Sequence, residues 1–214
     1  PDYFLWGAST SAYQVEGAIQ RFSNGFMTAV TPQITKLFAV GDYKKMFHLV
    51  FESSKLAYFL LIILSLPIFF EANYILDLWL KKVPDGAVIF LQWVLINAWI
   101  RGCARPVIIA VHATGNIKWL NLWAGGTSLV FILPLSIVAF YWGASAVASL
   151  WIMAGVSLIC NYLELICLRK EIKFSIWEYT KRVYVIVLVI TVLPSIPLFF
   201  ITRYLPSNFG RLLL

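Results

Sequence analysis

Two arginines stand in an otherwise oily stretch, NAWIRGCARPVIIAV, at positions 101 and 105. A guanidinium keeps its charge and presents a planar fork of donors. That fork fits a phosphate or carboxylate through paired hydrogen bonds. The spacing of four puts Arg101 and Arg105 on one face of a helix. At 1.5 Å per residue, Arg101 is roughly 15 Å from the nearer polar end of its stretch. A charge at that depth in a bilayer costs about 2.5–3.5 kcal/mol, so something must offset it. One solution is a water-filled cavity that takes an anionic head group such as a phosphate. The other is snorkelling to the surface or pairing with Glu164.

Gly102 and Pro106 flank these charges. Proline removes a helix hydrogen bond and crowds the preceding turn, which predicts a kink or break. A hinge in a moving helix uses such a break, and so does an ordinary proline kink. Gln92 and Asn97 lie earlier in the same stretch and either face a cavity or bond a neighbouring helix. The candidate binding residues are therefore Arg101, Arg105, Asn97 and Gln92, with Pro106 and Gly102 as the candidate hinge.

The elements that must position them follow from composition. Hydrophobic residues make up 61% of the chain and charged residues 13%, with a mean hydropathy of +0.82. A water-soluble domain is nearer a quarter charged. A chain this apolar belongs in a bilayer, where only helices or closed barrels satisfy every backbone group. About 20 apolar residues span the hydrocarbon layer as a helix. Five stretches meet that length: 49–70, 88–111, 119–141, 146–168 and 183–201. A sixth, 5–30, is weaker, being rich in small residues and carrying Glu16 and Arg21. The expected fold is all-α, a polytopic bundle of six transmembrane helices.

The connections carry a charge pattern. Thr31–His48, read as a polar loop, holds Lys36, Lys44 and Lys45. Glu71–Gly86 is balanced in sign, with Glu71, Asp77, Lys81, Lys82 and Asp85. His112–Lys118 and Trp142–Ser145 are tight turns. Arg169–Arg182 is basic. The first, third and fifth connections hold the Lys/Arg excess, which predicts that they face the cytoplasm and the other two face outward. The tail then lies outside, with Arg203 and Arg211 counting mildly against it. Trp79, Trp119, Trp142 and Trp177 near span ends suit the membrane interface. Glu52 and Glu164 read as solvated residues near cytoplasmic ends.

Other chemistries find little support. Cys103, Cys160 and Cys167 lie in apolar runs without metal-ligand spacing and read as buried small residues. His48 and His112 have no ligand company, so no metal and no cofactor is expected. No phosphate-binding loop, nucleophile elbow or Ser/His/Asp set is visible. The net charge of +7 sits largely in membrane-orienting loops and does not indicate nucleic acid. The chain starts at Pro1 inside a patterned stretch, which reads as a fragment or a fusion.

From about residue 18 to 214 the chain resembles the polysaccharide flippases of the MATE-like (multidrug/oligosaccharidyl-lipid/polysaccharide) exporter superfamily. The resemblance rests on TPQITK at Thr31–Lys36, Gly41-Asp42, Ser53-Ser54-Lys55, ILDLWLKKVP at Ile75–Pro84 and HATGNIK at His112–Lys118. Thr31 stands where that family usually has Asn. The resemblance implies the C-terminal half of a two-bundle transporter in the bacterial inner membrane. It would flip O-antigen or capsule-type lipid-linked oligosaccharide, a polyprenyl pyrophosphate glycan, by alternating access. Membrane lipids and the missing N-terminal half would be its partners, and it would not be an enzyme.

The opening FLWGASTSAYQVEGA, Phe4–Ala18, resembles the N-terminal signature of family 1 glycoside hydrolases, in which Gln14 would touch the sugar. Residues 1–17 accordingly read as a foreign-looking segment ahead of the bundle. Such an enzyme needs two carboxylates, in Asn-Glu-Pro and Glu-Asn-Gly motifs, and neither motif occurs in the chain. A β-glucosidase-type fragment or a non-transporting membrane scaffold are the alternative functions.

Overall fold

The computed structural model describes residues 3–80, 83 and 86–204. Lys81, Lys82, Asp85 and Arg211 lie outside the described residues, as do the side chains of 3–12, Phe22, Trp79, Leu80 and 201–203. Among the described residues the chain is all helix, with no strand. Helix α1 is Tyr3–Val40, α2 is Tyr43–Phe70 and α3 is Ala72–Leu80. Helix α4, Ala87–Gly102, is followed almost at once by α5, Ala104–Ala113. Helix α6, Ile117–Tyr141, contains a π-helical turn at Asn121–Gly125. Helix α7 is Val147–Ile172. Helix α8 starts at Ile176–Tyr179, widens through a π turn at Thr180–Tyr184 and continues as Val185–Tyr204.

Among the described residues, four helices are long and apolar enough to cross a bilayer: α2, α6, α7 and Ile176–Phe200 of α8. The pair α4 and α5, bent by 42°, makes a fifth when counted as one broken span. The sixth expected span, 5–30, falls in α1, which is not among them. Its small and polar residues, with Glu16 and Arg21, lower its apolarity below that of the other spans.

Three expected loops are mostly helix. The supposed polar loop Thr31–His48 shrinks to Gly41 and Asp42 between α1 and α2. The hydroxyls of Thr31 and Thr35 fold back onto the carbonyls of Met27 and Thr31, at 2.8 and 3.1 Å, so polar side chains are satisfied within the helix. Gly41 takes a left-handed φ of 79° at the turn. The Asp42 side chain then caps α2 by accepting from the Lys45 backbone N–H at 3.2 Å. The expected loop Glu71–Gly86 contains α3. The basic loop Arg169–Arg182 shortens to Lys173–Ser175, and Ser175 caps α8 by accepting from the Glu178 N–H.

Packing gathers the basic connections at one end. Phe47 of α2 packs edge-on against Phe174 at 5.1 Å. Asn116 Nδ2 donates to Glu171 Oε1 at 2.8 Å, joining the α5–α6 turn to α7. A buried apolar cluster lies beneath them, built from Ile34, Met46, Phe51, Val107, Leu168 and Tyr179 among others. A second cluster around Leu76, Leu91, Val94, Leu95 and Leu150 fills the opposite end. Helices α6 and α8 are peripheral: only 6% of each one's most apolar window is buried. Cys103, Cys160 and Cys167 are all buried free thiols.

Candidate functional site

The site forms where α4 stops and α5 starts. Pro106 has no N–H to offer the Gly102 carbonyl one turn back, and glycine is a poor helix former there. The axis bends by 42° about Cys103. Arg101 and Arg105 therefore sit on two helices rather than on one continuous face, which corrects the expectation from spacing. They still converge: both line one cavity of about 220 Å³, with Gln20, Ser23 and Asn24 of α1 opposite.

The break leaves carbonyls that a continuous helix would have bonded, and side chains meet them. Asn161 Nδ2 of α7 donates to the Ile100 carbonyl at 2.6 Å. The Tyr179 hydroxyl, fully buried, donates to the Cys103 carbonyl at 2.9 Å and lies 3.0 Å from Ser54 Oγ. Gly102 packs close beneath Tyr58: a Cβ there would stand 3.1 Å from Tyr58 Cδ2. The bend is thus held by α2, α7 and α8 together.

The two arginines differ in their partners. Arg101 Nη1 lies 2.9 Å from Glu164 Oε1 and donates to Asn161 Oδ1 at 2.7 Å. Glu164 is 2% exposed, so the expectation that it is solvated is corrected. Its depth in α7 matches that of Arg101 in α4, and the cation gives it a counter-charge that burial makes necessary. Glu164 Oε2 is buried with no hydrogen-bond partner among the described residues. It belongs to a second cavity of about 320 Å³, on the far side of Arg101, with His112, Asn121, Ser128 and Ser157. Arg105 is exposed and takes part in none of the ion pairs among the described residues. Its charge is left for the first cavity.

Two other expected site residues are engaged elsewhere. Gln92 Nε2 donates to the Phe69 carbonyl of α2 at 3.3 Å. Asn97 Oδ1 accepts from Ser157 of α7 at 2.7 Å. Both serve as bonds between helices, because a polar group among apolar neighbours takes the nearest available partner. Gln14 lies exposed on α1, beside Tyr13 and Arg21. Sequence reasoning gave Asn161 no role. The signal was present: Asn161 and Glu164 are three apart, hence on one face of α7.

A third, largely apolar cleft of about 400 Å³ runs beside the break, lined by Tyr58, Trp99, Cys103, Asn161, Tyr184 and Thr191 among others. Tyr58 and Thr191 hydroxyls meet across it at 2.6 Å, tying α2 to α8. Asn161 borders this cleft while bonding Arg101, so the apolar cleft and the cationic centre share a wall. No group of three or more His, Cys, Asp and Glu that could hold a metal ion occurs among the described residues. No family model, no curated protein and no solved structure matches this chain.

Proposed function

We propose that the chain is the membrane bundle of a transporter that flips a lipid-linked oligosaccharide across the bacterial inner membrane by alternating access. In that reading the six expected spans form half of a MATE-like transporter, with α1 as an inner helix of small residues. The observation that carries it is an exposed guanidinium, Arg105, in a polar cavity at the break of a membrane-length helix pair. A head group with pyrophosphate oxygens matches that charge, and a long apolar chain matches the cleft that shares Asn161 with the cationic centre.

Arg105 is the cation that meets the phosphate. Arg101 keeps its Glu164 partner and fixes α4 against α7. The bend at Cys103 lets α4 and α5 tilt separately, with Gly102 and Pro106 as hinge. Reconstitution into liposomes with a fluorescent polyprenyl-pyrophosphate oligosaccharide tests the reading. Wild-type protein should expose the label to an external quencher, and Arg105→Ala should abolish the exposure. Equal exposure from Arg105→Ala, or none from wild type above empty liposomes, overturns it.

A non-transporting scaffold is the second reading, favoured by the outer faces of α6 and α8, which leave large apolar side chains such as Leu129, Phe131, Leu188 and Leu193 exposed. It predicts no flipping from either protein.

A further inference from the structure

We propose that the groove between the start of α6 and the end of α7 is a binding site for one anionic phospholipid, with its phosphate on Lys170 and an acyl chain against Trp119 and Trp123. The groove encloses about 150 Å³ and is lined by Trp119, Trp123, Leu163, Ile166, Cys167 and Lys170. Helices α6 and α7 are joined by the tight turn after Tyr141, so they run antiparallel. The N-terminal end of α6 and the C-terminal end of α7 therefore meet at the same membrane face. From Lys170 the lining descends along α7 to Leu163, about 10 Å at 1.5 Å per residue. A polar end followed by an apolar channel is the shape of a head group with its first chain segment.

Charge complementarity identifies the occupant. Lys170 forms none of the ion pairs among the described residues. The nearest acidic residue in sequence, Glu171, is engaged by Asn116 at 2.8 Å. Lys118 Nζ lies 5.7 Å from the Trp119 ring centroid, adding a second cation beside the groove. Both indoles are nearly half exposed, at 45% and 47%, and such side chains anchor at the interface of a bilayer. The π turn at Asn121–Gly125 holds Trp123 and widens the backbone there, and Cys160 Sγ donates to its Ala124 carbonyl at 3.4 Å. A zwitterionic lipid would fill the same channel, but its own ammonium would offset the attraction to Lys170.

The test is native mass spectrometry of the protein released from nanodiscs of equimolar phosphatidylglycerol and phosphatidylcholine. The first bound lipid should be predominantly phosphatidylglycerol. Lys170→Gln should cut that preference roughly fivefold, as expected for one lysine at an anionic surface. Trp123→Ala should lower occupancy by both lipids. Both side chains are on the surface, so the variants retain the fold, which a thermal scan verifies. Equal binding of the two lipids by wild type, or an unchanged preference in Lys170→Gln, overturns the proposal. Displacement of the bound lipid by inorganic phosphate alone overturns the acyl-chain part. None of these outcomes depends on what the protein transports.

Discussion

Arg101 and Arg105 lie one turn apart in sequence yet stand in opposite electrostatic situations. On the α7 side of the break, Arg101 is half-buried and paired with a carboxylate that is itself 2% exposed. On the α1 side, Arg105 is exposed in a cavity whose other polar groups are neutral or engaged: Ser23 Oγ donates to the Ala57 carbonyl at 3.1 Å and Gln20 donates to Glu16 at 2.7 Å. The same residue type therefore stands in two settings. A buried cation with a buried partner joins helices, since removing one partner strands the other charge. An exposed cation without a partner is available to a ligand. The break at Cys103 separates the two settings by turning α5 away from the axis of α4.

The largest expected effect comes from stranding the buried charge. Glu164→Ala should destabilise the bundle by about 3 kcal/mol, the low end for a broken buried pair because Arg101 remains partly open to the cavity. The double variant Arg101→Ala/Glu164→Ala should recover part of that loss. Unfolding in detergent reads both, and a double variant no better than the single would break the comparison. Gly102→Ala should cost about 1–3 kcal/mol, because the added methyl meets Tyr58 Cδ2 at 3.1 Å. A thermal midpoint unchanged by it would mean that Tyr58 yields freely.

Tyr179→Phe removes the hydroxyl on the Cys103 carbonyl and should cost about 1 kcal/mol. It should also speed hydrogen exchange at amides near the break, a change that a loss spread evenly through the bundle would not produce. Arg105→Ala should shift stability by no more than about 0.5 kcal/mol, as for a surface site. That contrast with Glu164→Ala sharpens the distinction between the two sides.

The smallest effect belongs to a control site at the α1–α2 turn. Hydrogen bonds from the Lys45 side chain and backbone hold the Asp42 carboxyl below its ordinary pKa. A lowered folded value means that its contribution is present above the ordinary aspartate value and is lost as pH falls through the folded one. Asp42→Asn should therefore lower the thermal midpoint slightly at neutral pH and not in strong acid. An equal loss at both would show that the ion pair plays no part.

Much of this architecture was legible in the sequence, and the failures have one physical origin. Hydropathy marks where a chain leaves lipid, and it does not mark where a helix ends. The runs 49–70, 119–141 and 183–201 each lie within a continuous helix, and 146–168 does so from Val147 on, but α2 starts at Tyr43 and α7 persists to Ile172. The cap at Asp42 sets the start of α2, and Lys173, at a left-handed φ of 53°, closes α7. Only the break in 88–111 carried a local signal, in Pro106.

The site was half legible for a related reason. A charge deep in an apolar run announces itself, so Arg101 and Arg105 stood out. Which one is paired depends on contacts between residues 60 or more apart, Arg101 with Asn161 and Glu164. Asn97 and Gln92 looked equally suited to a cavity, but their neighbours on α7 and α2 supplied partners that no local pattern encodes.

The most direct test of these divided roles is the affinity of the purified protein for undecaprenyl pyrophosphate, measured on Arg105→Ala and on Arg101→Ala/Glu164→Ala. Loss of a charge-assisted hydrogen bond to phosphate should weaken binding to Arg105→Ala by about tenfold to a hundredfold. The double variant, with no net change of charge at the site, should bind within about twofold of wild type, well inside the factor of ten that 1.4 kcal/mol represents. Loss of binding in the double variant, with Arg105→Ala unaffected, would contradict the assignment of Arg101 to structure and Arg105 to the ligand.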